Sequence, residues 1–162
     1  MSSDGLFSFP NPVNEVSARL VAAGVVVMCA ATLAFEQRWI IVVLAYGFVA
    51  RVLTGPTLSP LGQLVTRVVV PSLPWSPKLV PGPPKRFAQS IGAALSLTAL
   101  VLAFGFDENT AAYVCVALIL VAATLESAFA ICLGCKIFAA LMRIGVIPES
   151  VCEECNDIWS RA

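Results

Sequence analysis

Two Cys-x-x-Cys pairs, Cys132-Leu-Gly-Cys135 and Cys152-Glu-Glu-Cys155, stand sixteen residues apart near the end of this 162-residue chain. The C-x2-C-x16-C-x2-C spacing is that of a four-thiolate zinc site, and each pair by itself has the spacing of a redox dithiol. Zinc wants four thiolates in a tetrahedron, which Cys132, Cys135, Cys152 and Cys155 would supply as two knuckles. Redox or sulfur-transfer chemistry wants a nucleophilic thiolate beside a resolving thiol. Lys136 next to Cys135 favours a thiolate in the first pair, whereas Glu153 and Glu154 disfavour one in the second. That asymmetry suits a relay from one pair to the other. It does not forbid zinc, whose charge outweighs two carboxylates. The third reading is plain buried cysteines, and it is the one expected of Cys29 and Cys115, which lie inside apolar segments as small packing residues.

Glu126 is the other residue with a chemical claim. It lies six residues before Cys132, about 9 Å along a helix. A carboxylate inside an apolar segment is costly and marks a functional site by default. The structural reading is an ion pair with Arg51 or Arg19. The sharper reading is a proton acceptor for the thiols.

The composition excludes much else. The chain has no histidine, so histidine-ligated haem, histidine-based zinc catalysis and Ser-His-Asp or Cys-His arrangements are out. Net charge is zero, which indicates no nucleic-acid partner. No G-x-G-x-x-G or P-loop string occurs.

The elements that must position the thiols are membrane helices. The chain is 59% hydrophobic and 12% charged, with a mean hydropathy of +0.89, against about a quarter charged in soluble domains. The lipid bilayer is the expected solvent. The pattern predicts an all-α, polytopic membrane protein of one domain, 1–162, with four spans at about 16–35, 37–53, 87–106 and 109–133. The second is short and spans only if its ends snorkel or the bilayer thins. The residues before the first span carry Asp4 and Glu15 and no basic n-region, so the first segment is expected to stay as a membrane helix.

The long loop between spans two and three carries Arg67, Lys78, Lys85 and Arg86 and no acidic residue, whereas the turn between spans three and four carries Asp107 and Glu108. The positive-inside rule then puts the loop, both termini and all four paired cysteines on the cytoplasmic side. In that reducing compartment free or metal-held thiols are expected, not structural disulfides. Within the loop, Ser59 as N-cap, Pro60 at the first helical position and apolar Leu61, Leu64, Val65, Val68 and Val69 predict a short helix ended by Pro71. It lies on the membrane or packs on the bundle. The six prolines of the stretch Pro71 to Pro84, both ends included, predict a stiff connector, with Trp75 able to anchor at the headgroups. After Cys135 a further helical stretch to Ile144 should end at Gly145 and Pro148, and the tail 145–162 can fold back so that its pair reaches the first.

Four strings resemble a known family: Asn11-Pro12-Val13-Asn14, Ser59-Pro60-Leu61-Gly62, Pro84-Lys85-Arg86-Phe87-Ala88-Gln89, and Ala128-Phe129-Ala130-Ile131-Cys132-Leu133-Gly134-Cys135. Together they resemble the bacterial membrane-protein family catalogued as domain of unknown function 4395, over roughly Asn11 to Arg143. The resemblance implies a small polytopic protein of the bacterial inner membrane that works near thioredoxin-like and rhodanese-like sulfur proteins. It supports Cys132 and Cys135 only; the tail pair lies beyond it.

The expected function is a small membrane protein with a cytoplasmic four-thiol site, either zinc-binding or active in thiol redox and sulfur relay. The alternative is a non-catalytic accessory subunit or adaptor of a larger membrane complex. Transport comes last, because the spans hold few polar groups and show no inverted repeat.

Overall fold

The computed structural model describes residues 9–151; Cys152 and Cys155 lie outside them. The described residues are mostly helical, as expected. The first long helix, α1 (Glu15–Phe35), starts where the Asn14 side chain accepts a 3.0 Å hydrogen bond from Val16 N. It ends where Glu36 turns left-handed. α2 (Trp39–Thr54) follows after a tight turn, and Gly55 N caps it by donating to Arg51 O. α5 (Gly82–Gly105) and α6 (Asn109–Phe129) complete the set. α1, α5 and α6 are long and apolar enough to cross a membrane, and α2 is a shorter apolar helix of 16 residues.

These helices form a closed ring: α1 packs on α2, α2 on α5, α5 on α6, and α6 back on α1. The interior is built of small side chains. Cys29, Ala99, Ala103, Ala112 and Val116 are fully buried, with Ile41 and Leu44 filling between them. Small residues let helix backbones approach closely where lipid supplies no hydrophobic drive. Cys29 is thus the packing residue expected of it, and Cys115 is partly buried. Large apolar side chains such as Val27, Val43, Val101, Leu118 and Val121 point outward instead. No more than 28% of any of the three spanning-length windows is buried. An apolar exterior of that extent is what a bilayer covers.

The loop helix begins at Ser59, whose hydroxyl accepts from Gly62 N, with Pro60 in its first turn, as the sequence predicts. α3 (Pro60–Leu64) runs through a widened π-helical turn (Val65–Val69) into α4 (Val70–Ser72). Pro71 does not end the helix before itself. The widening lets Val70 N donate to Val65 O and accommodates a proline that would clash in a regular turn. Its predicted apolar face divides. Val65 is buried and Leu61 sits on α1 at Gly24, where an added Cβ would lie 2.7 Å from Leu61 Cδ1; Leu64 and Val68 remain exposed.

Two boundaries differ from expectation. α5 begins at Gly82, not near Phe87, because Pro83 and Pro84 occupy the first turn, where a missing N–H costs nothing. α6 ends at Phe129, not Leu133. Ala130 turns left-handed, and a new helix, α7 (Leu133–Arg143), starts after Cys132. A two-strand ribbon also joins the N-terminal segment to the end of the long loop: β1 (Val13–Asn14) pairs antiparallel with β2 (Leu79–Val80). Glu15 N donates to Lys78 O, Lys78 pairs with Glu15 at 2.9 Å, and Gly82 N donates to Asn11 Oδ1. The loop thereby returns to the bundle end that carries α7.

Candidate thiol site

Cys132 sits in the break between α6 and α7 as the N-cap of α7, and its sulfur accepts a 3.2 Å hydrogen bond from Cys135 N. Cys132 and Cys135 are joined to each other as a disulfide, their Cα atoms 5.2 Å apart. The expectation of free or metal-held thiols at this end is therefore not what the structure holds for this pair. One turn of helix started at Cys132 brings the two residues within the Cα separation that a disulfide requires.

The turn is held against α5 by backbone contact. A Cβ added at Gly134 would lie 2.5 Å from both Cα and Cβ of Ala88, so only glycine fits between Leu133 and Cys135. Farther along α7, Phe138 and Met142 are buried and the partly buried Phe87 packs against them, the two phenyl rings 5.6 Å apart. Gly145 follows the end of the helix. Lys136, on the other side, is exposed.

Glu126 is one helical turn from the end of α6 and pairs with Lys85 at 2.6 Å, both side chains largely buried at 15% and 9% exposure. It does not pair with Arg51 or Arg19. Arg19 is drawn instead to the end of α6, where it donates to the Ser127 carbonyl through Nε at 3.2 Å and an Nη at 3.0 Å. A cation there meets carbonyls left without helical partners. Arg51, 5% exposed, donates through Nε to Gln89 Oε1 and through Nη1 to Ser59 Oγ, and lies over the Phe48 ring.

Arg51, Gln89, Glu126 and Cys132 line one cavity of about 290 Å³ at this end of the bundle. The rest of its wall is apolar, from Val25 on α1 and Phe48 on α2 to Gly92 on α5 and Ala123 on α6. Of the residues singled out in the sequence, the structure brings together Cys132, Cys135 and Glu126. In the sequence Lys85 reads only as a loop charge, because the uncharged run starts at Phe87, and Gln89 carries no chemical signal of its own. With the start at Gly82, the four-residue spacing of Lys85 and Gln89 puts both on one face of α5.

Among the described residues no group of three or more metal-capable side chains gathers. The four-thiolate zinc reading needs Cys152 and Cys155, which lie outside the described residues. Comparison with curated proteins returns no match, and comparison with solved structures returns none either. A family model does match, over residues 13–143. That range holds the four-helix ring, the return of the long loop and the whole of α7 with its cysteines. On that match the chain belongs to the family described as Domain of unknown function (DUF4395).

Proposed function

We propose that this protein is a membrane thiol–disulfide redox protein whose working pair is Cys132 and Cys135. The observation that carries the reading is the bridged pair at the start of α7, with the Cys132 sulfur accepting the Cys135 N–H. A helix N-terminus stabilises the thiolate that forms when the bridge opens. In the reductive half of the cycle, a dithiol protein of thioredoxin-like type attacks the bridge. Its two S–H bonds break, its own disulfide forms, and two electrons and two protons pass to Cys132 and Cys135. Cys152 and Cys155 act as a second pair for relay. Glu126, on the wall of the same cavity as Cys132, accepts a thiol proton, with Lys85 balancing its charge.

The bundle crosses a bacterial cytoplasmic membrane four times in this reading. α2 has 16 residues, about 24 Å of helix, against roughly 30 Å of hydrocarbon. Its place in the ring beside three full-length helices supports a fourth crossing with local thinning. Arg67, Lys78, Arg86 and Lys136 at the thiol end against Arg38, with Glu36, Asp107 and Glu108, in the turns at the other support a cytoplasmic thiol end.

Differential alkylation of the purified full chain tests the redox reading. Cys132 and Cys135 should take no reagent as isolated, take one each after dithiothreitol, and be protected again by oxidised glutathione. Cys132→Ser should leave Cys135 alkylated without reduction. Thiols that never change state would leave the accessory-subunit alternative in its place. One zinc per chain, lost in every single Cys→Ser variant of the four, would replace the redox reading with a zinc clip.

A further inference from the structure

We infer that the cavity behind Cys132 takes the ring of a lipid-soluble quinone, which oxidises the Cys132–Cys135 dithiol. This rests on the redox reading and names the oxidant that it lacks.

Three observations converge. The first is the wall. Cys132, itself 9% exposed, lines a cavity bounded mostly by apolar side chains. A water-soluble oxidant gains nothing from such a wall, and an apolar ring does.

The second is the mouth. Leu118, Leu133 and Ile137 line the cavity and are also 54%, 40% and 47% exposed. They stand on the flank of the bundle, Leu118 in the middle of α6 and the others on the first turns of α7. The exposed part of the wall thus runs from the loop end along the flank of the bundle, which acyl chains cover in the four-span reading. A volume of about 290 Å³ lies at the small end of ligand sites, which run from about 300 to 1,000 Å³. It suits a single substituted ring whose long tail stays in the lipid.

The third is the polar inventory. A quinone ring presents two carbonyl oxygens and needs donors. Arg51 uses Nε and Nη1 on Gln89 and Ser59, and its Nη2 donates to no described residue. Gln89 accepts from Arg51 through its carbonyl oxygen, and its amide nitrogen donates to no described residue. Both side chains line the cavity. They supply donors on its wall without dismantling the bonds that hold them.

The step balances. The S–H bonds of Cys132 and Cys135 break and the S–S bond forms. Two electrons and two protons go to the quinone, whose carbonyl oxygens become the hydroxyls of the quinol. The quinol leaves through the flank, and the soluble dithiol partner reduces the bridge again.

The test uses the full chain in phospholipid nanodiscs, reduced with dithiothreitol, desalted and kept anaerobic. The probe is a decyl-substituted benzoquinone with a fully substituted ring, which thiols cannot add to. In the Cys152→Ser/Cys155→Ser chain one quinol should form per Cys132–Cys135 bridge, read by ultraviolet absorbance and by alkylation, and none once Cys132→Ser is added. Ala122→Phe, which fills the cavity wall, should lower the quinone rate at least tenfold relative to the oxidised-glutathione rate of the same variant. Gln89→Glu keeps an acceptor for Arg51 and deletes the amide donor. It should raise the half-saturating quinone concentration several-fold.

A chain that cycles with glutathione but ignores the quinone overturns this inference and leaves the redox reading standing. Equal quinone rates in the wild type and both variants would also overturn it, because oxidation would then occur outside the cavity. A chain that cycles with neither oxidant removes the redox reading beneath it.

Discussion

Lys85 and Glu126 form a charge pair inside an apolar bundle, and neither charge is tolerable there alone. At 9% and 15% exposure each side chain has lost most of its water, and the partner replaces it. Removing one partner strands the other. Lys85→Met and Glu126→Leu should each destabilise the detergent-solubilised protein by about 3–5 kcal/mol. The double variant should recover part of that loss, because neither member of the pair is then left facing an empty place, although Arg51 stays buried beside the site. Thermal unfolding of the four proteins as a double-mutant cycle reads the difference, and additive losses would show that the two charges do not depend on each other. Gly134 presents a second sharp dependence. Gly134→Ala must push α7 off Ala88, since the added Cβ would lie 2.5 Å from its Cα. Overpacking of this kind costs about 1–3 kcal/mol. After reduction, Cys132 should then alkylate faster than in the wild type.

At the scale of elements, α7 is the part that has to be seated. It presents Phe138 and Met142 to the bundle and leaves Lys136 and Ile137 outside. The Phe138–Phe87 contact anchors it to α5 one turn after the disulfide. Phe138→Ala should cost about 3–5 kcal/mol, mostly as local undocking of α7. Limited trypsin digestion should then cut faster at Lys136 while α1, α5 and α6 stay protected. Unchanged cleavage would mean that the backbone contact at Gly134 alone holds the helix. The same element explains a difficulty of reading. Residues 109–133 look like one apolar run, and hydropathy carries no mark of the left-handed Ala130 that divides it. The break decides which helix Cys132 belongs to. In a continuous α6 it would be a C-terminal residue facing carbonyls. As the N-cap of α7 it faces an N–H instead.

For the whole molecule, the ring α1–α2–α5–α6 puts the N-terminal segment, the long loop and α7 at one end and the turns 36–38 and 106–108 at the other. Arg38 and Asp107 join those two turns at 2.9 Å. In cells, cysteines introduced at Ser76 and at Ser150 on a Cys-free background should resist a membrane-impermeant maleimide. One at Glu108 should react. The reverse pattern would turn the molecule over and place the thiol pair in an oxidising compartment, with a different reductant.

The sequence by itself determined the long apolar helices and the close pairing of Cys132 with Cys135. Long uncharged runs admit few structures in lipid, and a Cys-x-x-Cys spacing is a local property of one helical turn. It also marked Ser59-Pro60 as a helix start, because capping is local too. What only the tertiary structure decided is who meets whom. Glu126 could have reached any of three cations at this end, and it pairs with Lys85 because α5 starts one turn early and packs against α6. Gln89 and Arg51 share a cavity with Cys132 although eighty residues separate Arg51 from that cysteine. Hydropathy records that each helix is apolar. It does not record which face turns inward, because in lipid the inner and outer faces differ in side-chain size far more than in polarity.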